Sequence, residues 1–493
     1  MFTDEHRGKV WEALGQRDLQ AFSRLLGCQQ LVEAARRTGI VIRHCPLSVV
    51  TLTWLSISSA LHTSKNFADV LVLTVKLLSD MPGWSDSSLG RQCAKRGKAS
   101  RKKGCKHNPH GKSLGSVSEE AFVQARRSVP ISYWANLLMV LGEQFEARHP
   151  QHVNWKTFRL LMLDGSQVAL PRWRRLADHF GTSKNGKAGR RPQARMLMLA
   201  LAQARLPWRY ELVPSNEHEQ SAAQRLLAGL RPNDLVLMDR GFWNYGLFWQ
   251  IAQQNAYFAI RLRRKIPLKT RKKLGKGDRL VTWKPSKKSS KKGLLSRKGL
   301  PRDITLRVID YQIRGFRKTA VVTNVLDPRR VSRDEWTRLA HRDKRGSILE
   351  AGLYHRRWEI ETLFRELKVE QGMEGSLRGR SPESIAYEVA GHVLLYLLTR
   401  WLMVEAAAEH DCDPLHLSFK QAQRELHDLR PALLASTPQR IAAVLLPRLL
   451  ARIAQYKIPF RPGRHFPRIG DQYKLGKYKI RARTNKRTRK PKT

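Results

Sequence analysis

The chain has 493 residues, enough for two to four domains with sizeable cores. Its 92 Lys and Arg against 41 Asp and Glu leave a formal charge of +51, while 41% of the residues are hydrophobic. That apolar share excludes a disordered chain and, over this length, fits poorly with a ribosomal or chromatin-packing protein; the charge calls for a polyanion, nucleic acid first, to offset its self-repulsion.

The start, MFTDEHRGKV, is polar and lacks the apolar core of a secretory leader. Residues 1 to about 150 read as mostly helical. Amphipathic spacing predicts a helix over 11–26, and strongly apolar segments follow at 46–61 and 67–78. From 85 to 115 the composition shifts to Ser, Gly, Lys and Arg, as in a basic linker. This linker holds Cys93, Cys105, His107 and His110, four zinc-ligand types within 18 residues, but their spacing fits no finger pattern and a basic loop is the preferred reading. The five cysteines (Cys28, Cys45, Cys93, Cys105, Cys412) are few and odd in number, which suggests reduced thiols. Cap-like residues at Ser116-Val117-Ser118-Glu119 open a helix to about Arg127. A second, apolar helix begins near Tyr133, so the pair could be helix-turn-helix-like.

From about 155 the pattern becomes α/β. Strands are expected near 158–164, 194–203, 207–213 and 234–239, with helices over 217–230 and 244–255. Two of these strands end on acids. Asp164 closes the run Leu160-Leu161-Met162-Leu163 and precedes Gly165-Ser166. Asp239 closes Leu235-Val236-Leu237-Met238 and precedes Arg240-Gly241-Phe242. Either Asp alone reads as an ordinary turn former or helix cap. A further strand fits 257–263, and a very basic stretch runs from 261 to 298. Its middle, 264–298, could be either part of a β-rich insertion or a flexible tether. Strands near 304–311 and 318–325 come next.

Residues 354–368 read YHRRWEIETLFRELK, without Gly or Pro, and should be helical. At ~100° per residue, Tyr354, Arg357, Glu361 and Lys368 fall within about 60° of one another. One stripe thus carries a phenol, a guanidinium, a carboxylate and an ammonium. A solvated face with Arg and Glu paired at i, i+4 is the plain alternative. Asp164 and Asp239 shift the balance, because three carboxylates from two strand ends and a helix could converge on divalent metal. Beyond this, Ser381-Pro382-Glu383 starts a long apolar helix to about 407. Its apolar stretch, 389–408, is broken by His392, Arg400 and Glu405, so no clean membrane span is expected. Helical sequence continues to about 455, and the last 21 residues hold ten Lys or Arg and no acid.

On these residues the chain resembles the DDE transposases of bacterial insertion sequences, in the insertion-sequence-four-like group marked by a Y-x2-R-x3-E-x6-K signature. Tyr354, Arg357, Glu361 and Lys368 match it residue for residue. Asp164 in LMLDGS and Asp239 in VLMDRGF sit where that family keeps its first and second catalytic Asp. The resemblance covers roughly 155–407. It implies a ribonuclease-H-like catalytic core, a mixed α/β sheet flanked by helices, with the first Asp on its first strand and the second on its fourth. The implied layout is a helical DNA-binding region over 1–150, catalytic segments at 151–256 and 331–407, a basic β-rich insertion at 257–330, and a helical C-terminal region with a basic tail at 408–493.

The resemblance also implies chemistry. Two Mg2+ ions, for which Mn2+ could substitute, would activate water and stabilise the leaving oxygen of a phosphodiester. Asp164 would bridge them, Asp239 would bind one and Glu361 the other. Arg357, Lys368, Tyr354 and Arg240 would hold phosphates. Nicking at the ends of the element, a hairpin intermediate and strand transfer into target DNA would follow, in a homodimer that holds both terminal repeats. The stacking Trp that relatives place on the insertion has no counterpart at Arg317-Lys318-Thr319-Ala320, which leaves Trp283 or Phe316 as substitutes. A cytoplasmic, nucleoid-associated protein is expected. Two alternatives stay open: a catalytically silent DNA-binding derivative, and a nuclease of the same fold that cuts without joining.

Overall fold

The computed structural model describes residues 20–22, 25–41, 47–63, 119–182, 191–263, 266–284, 300–312, 318–337, 341–342, 348–349, 352–434, 436 and 438–458. Most of the expected 11–26 helix, the 67–78 segment, the 85–115 linker with Cys93, Cys105, His107 and His110, and the basic tail lie outside these residues.

Among the described residues, four α-helices precede the sheet. Helix α1 (Cys28–Thr38) closes on Gly39, whose left-handed φ of 74° returns its N–H to the carbonyls of Ala35 and Arg36. Helix α2 (Val49–Leu61) starts at Ser48, whose hydroxyl accepts from the Thr51 N–H, and is buried almost all round. After α3 (Glu119–Arg127) comes α4 (Ile131–Arg148), which buries Tyr133, Trp134, Leu137, Leu138, Leu141 and Phe145. The two helices expected there are present and joined by a short turn, and the second buries one side in the core while Ile131, Ser132 and Ala135 stay exposed.

Ten strands form one sheet: β1 (Asn154–Trp155), β2 (Phe158–Ala169), β3 (Gln193–Leu201), β4 (Leu206–Pro214), β5 (Asp234–Met238), β6 (Tyr257–Arg261), β7 (Leu268–Gly275), β8 (Asp278–Trp283), β9 (Ile304–Tyr311) and β10 (Thr319–Thr323). Their order is β4-β3-β2-β5-β6-β10-β9-β8-β7, with the short β1 beside β2. Strands β2, β3 and β4 meander antiparallel, and β5 and β6 run parallel to β2. The core is thus a mixed sheet with the Asp164 strand central and the Asp239 strand next to it, which fits a ribonuclease-H-like core. Residues Phe158 to Leu163 and all of β5 are buried, since helices cover both faces of a parallel pair. Among the covering helices are α5 (Arg174–Phe180), α6 (Glu219–Leu227) and α7 (Tyr245–Gln253).

Two strands, β7 and β8, occupy the first half of the stretch that the sequence left between insertion and tether, and its remainder, 285–298, lies outside the described residues. They are joined by Lys276-Gly277, and Gly277 takes φ +72°, a conformation an L side chain resists. They extend the same sheet through β9 and β10. Strand β7 forms an edge, its exposed Lys269, Arg271, Lys272 and Lys273 discouraging further pairing. Helix α8 (Arg333–Thr337) follows β10.

The signature segment is not the single α-helix that its spacing suggests. Leu353–Trp358 is a 3-10 turn, α9 (Glu359–Arg365) is α-helical, and Glu366–Glu370 widens to a π-helix. Helix α10 (Pro382–Glu409) is long and apolar enough to cross a membrane by length and composition, but 94% of its apolar window is buried inside the protein. It is the central core helix, crossed by α2 so closely that a Cβ on Gly391 would meet the Ser56 carbonyl oxygen at 2.5 Å. Helices α11 (Phe419–Leu434) and α12 (Leu446–Gln455) pack against it.

Candidate active site

Parallel pairing puts Leu163 beside Met238, so Asp164 and Asp239 are the next residues in step on adjacent strands. Strand β5 ends there, whereas β2 runs five residues past Asp164, longer than the sequence suggested. The Gly165 N–H donates to Asp164 Oδ1 at 2.8 Å. Helix α9 brings Glu361 to the same end of the sheet. Arg357, itself buried, lies between: its Nη1 is 3.8 Å from Asp164 Oδ2 and its Nη2 is 3.6 Å from Glu361 Oε1.

Asp164 feels the other two acids. Burial pushes the Asp164 carboxyl up to about 6, the charges of Asp239 and Glu361 push the same way, and the Gly165 N–H and Arg357 oppose them. Mutual repulsion of this kind is what a divalent cation relieves. By type and charge the donors fit Mg2+ or Mn2+, both hard cations that prefer oxygen ligands. Their side-chain positions do not yet share one ion, since among the described residues no three His, Cys, Asp or Glu groups stand close enough to do so. The expected common coordination is corrected in that respect: Arg357 supplies the positive charge between Asp164 and Glu361. Glu361 is 52% exposed and has room to turn.

The remaining signature residues differ in their placement. Tyr354 is buried, and its hydroxyl donates to the Met238 carbonyl oxygen at 3.1 Å. The expected phosphate contact is corrected to an anchor that ties the signature turn to the strand ending at Asp239. Lys368 is swung by the π-turn onto the extension of β2, where its ammonium reaches Ser166 Oγ at 3.1 Å, the Gln167 carbonyl oxygen at 2.5 Å and Glu374 Oε1 at 3.1 Å. Arg240 is exposed, immediately after Asp239. Trp283 is buried against Trp243 and Tyr245 at centroid distances of 5.2 and 5.1 Å, so it is no platform for an extruded base. Phe316 lies outside the described residues.

Three features escaped the sequence reading. Trp358 is 45% exposed, with the Arg357 guanidinium 4.4 Å from its ring centre. Glu219, at the start of α6, points between the two aspartate loops: a Cβ on Gly165 would meet its Oε1 at 3.3 Å and one on Gly241 its Oε2 at 4.0 Å. Beneath the signature segment lies a buried ionic network. Arg205 donates to Glu359 at 2.5 Å, to Glu366 at 3.0 Å and to the Leu415 carbonyl at 3.0 Å, and Tyr396 donates to Glu366 at 2.7 Å. It bolts α9 and the π-turn to the β3–β4 turn and α10. A buried Glu in an otherwise amphipathic helix was the one available signal.

Residues 155–398 match the family model of the transposase DDE domain. The transposase InsG for insertion sequence element IS4 of Escherichia coli is 28% identical over 371 residues, covering 72% of this chain and 76% of that protein. A putative transposase, y4zB, of Sinorhizobium fredii is 26% identical over 168 residues, 33% of this chain and 41% of that one. Among solved structures, a piggyBac transposase synaptic complex with hairpin DNA aligns over 93% of this chain and 88% of its own, at a TM-score of 0.34 and 10% identity. Residues 155–398 thus belong to the transposase DDE domain family, and the chain as a whole is similar to transposases of insertion sequences.

Proposed function

We propose that this transposase binds the terminal inverted repeats of its insertion sequence and catalyses metal-dependent strand cleavage and strand transfer, in cut-and-paste fashion through a hairpin intermediate. The observation that carries the reading is the placement of Asp239 and Glu361 about Asp164 at one end of the sheet, with Arg357 between Asp164 and Glu361.

Asp164, Asp239 and Glu361 would hold two Mg2+ ions, or Mn2+, whose chemistry when bound is to acidify an attacking water and neutralise charge on the leaving oxygen. The chain's own residues do the rest. Arg357 is fixed by burial and by its two carboxylate neighbours, so its guanidinium presents a set direction to a phosphate oxygen beside Asp164. Lys368 and Arg240 place further positive charge on the β2 and β5 sides of that phosphate. Tyr354 keeps Asp239 in register. Exposed Trp358, beside Arg357, is the aromatic within reach of a base turned out of the duplex during hairpin formation. The N-terminal helices and the basic β7–β8 hairpin are read as further DNA contacts. A homodimer would coordinate two ends, with the C-terminal helices as the contact; exposed Val444, Tyr456 and Ile458 in that region support the assignment.

The test is incubation of the full chain and Mg2+ with a duplex carrying the element's terminal repeat, followed by addition of a plasmid. Nicking at the repeat end and joining of that end to the plasmid is expected. Binding without nicking would leave a silent DNA-binding derivative, and nicking without joining would leave a nuclease.

A further inference from the structure

Among the described tryptophans only Trp173 and Trp358 are exposed, at 43% and 45%, and each carries an arginine over its ring. Trp358 belongs to the site already described. Trp173 lies four residues past the end of β2, with the Arg380 guanidinium 4.7 Å from its ring centre. Exposing so large an aromatic forgoes the burial that the chain gives Trp54, Trp134, Trp208, Trp243, Trp283, Trp336 and Trp401. Glu374 brings the two segments together: its Oε1 accepts from the Ala169 N–H at 3.2 Å and pairs with Lys368 at 3.1 Å. A continuous path therefore runs from Asp164 along β2, past Lys368, to the Trp173–Arg380 stack.

The charge around that stack is predominantly positive. Arg172, Arg174, Arg175, Arg378 and Arg380 are exposed; Asp178 and Glu383 are the exposed acids beside them, while the half-buried Glu374 and Glu388 are taken up by Lys368 and by the Arg378 and Gly379 N–H groups. Arg174 is 3.8 Å from Asp178, and Glu383 is held below the usual carboxylate range first by the Ser381 hydroxyl, with Arg175 adding to it. Flat aromatic surface beside guanidinium groups is the chemistry that grips an unpaired nucleotide: the base stacks on the ring or on the flat face of the guanidinium, and the arginines take the phosphates.

We propose that Trp173 and Arg380, flanked by Arg172, Arg174 and Arg175, form a docking patch for an unpaired stretch of the DNA strand that passes through the active site. This rests on the reading of the chain as a DNA-cleaving transposase, and it adds where the strand goes after it leaves the scissile position. Stacking tolerates any base, so the patch holds the strand without reading its sequence, and the arginines make its grip depend on salt.

The experiment measures fluorescence anisotropy of labelled terminal-repeat duplexes, one blunt and one with a short unpaired tail, against full-length wild type and Trp173→Ala. The wild type is expected to favour the tailed duplex by roughly tenfold or more, the size of one stacked base, and Trp173→Ala to lose that preference while holding the blunt duplex as before. Arg380→Ala is expected to lower the slope of log affinity against log salt by about one on the tailed duplex alone. A wild type without tail preference, a Trp173→Ala variant that keeps it, or a variant equally weakened on both duplexes overturns the proposal. Nicking by the same wild-type preparation is scored separately. Its absence beside an intact tail preference would sink the catalytic reading and leave the patch standing.

Discussion

The Tyr354 hydroxyl donates its proton to the carbonyl oxygen of Met238, the residue immediately before Asp239. The first signature residue therefore sets the height of Asp239, the second of the two strand-end acids. Removing the donor in Tyr354→Phe leaves a buried carbonyl without it and should cost about 1–3 kcal/mol of unfolding free energy. Urea denaturation should show that loss, nicking should slow, and affinity for the terminal repeat should stay within about twofold. Weakened, salt-dependent DNA binding at unchanged stability would instead return Tyr354 to the phosphate.

Asp239→Ala removes a charge that sits in step with Asp164. A metal-held phosphoryl centre contributes several kcal/mol to the transition state, so nicking should fall at least about a hundredfold. Gel shifts with the terminal repeat should be unchanged or tighter, because a negative charge near the phosphates is gone. Wild-type nicking by this variant would remove Asp239 from the mechanism.

Asp164 couples the site to pH. Its carboxyl titrates near 6 in the folded chain against an ordinary value of 3.8, so between these values the folded state binds more protons than the unfolded one. Stability therefore declines as pH rises through that window, and the penalty is complete above it. The Asp164→Asn variant should be more stable than wild type by about 1–3 kcal/mol at pH 8, with the difference gone near pH 4. Thermal melts without metal at both pH values measure this. Equal melts at pH 8 would mean that burial and the neighbouring acids do not penalise the Asp164 charge as its placement implies.

Arg205 offers a stability test away from the reacting atoms. In Arg205→Ala the buried Glu366 loses its cation, for which about 3–5 kcal/mol is the usual penalty. Arg205→Lys should recover less than half, since one ammonium cannot span Glu359, Glu366 and the Leu415 carbonyl as the guanidinium does. Full recovery by lysine would show that charge alone matters there.

Much of the core was legible in the sequence because its strands are buried on both faces. Leu160-Leu161-Met162-Leu163 and Leu235-Val236-Leu237-Met238 read as uninterrupted apolar runs, and each led directly to an Asp. The signature spacing put Arg357 and Glu361 on one face, and in the structure they stand 3.6 Å apart. The helix type was hidden, since nothing local marks Glu366–Glu370 for a π-turn; the buried pairing of Glu366 with Arg205, 161 positions earlier, is a long-range partner that no window contains. Strand β7 was obscured for the opposite reason: as an edge it is basic and exposed on both faces, and alternation vanishes. Exposure itself was unreadable, so Trp283 looked available and proved buried, while Trp358 and Trp173 passed unnoticed.

Strand β10 lies between β6 and β9, so hydrogen bonds run without a break from the aspartate strands to the basic hairpin. Among the described residues, a ladder stitched in this way joins the two halves edge to edge through paired strands. On the proposed function, this sheet would serve as an anvil, and the bending of the DNA would fall to the double helix.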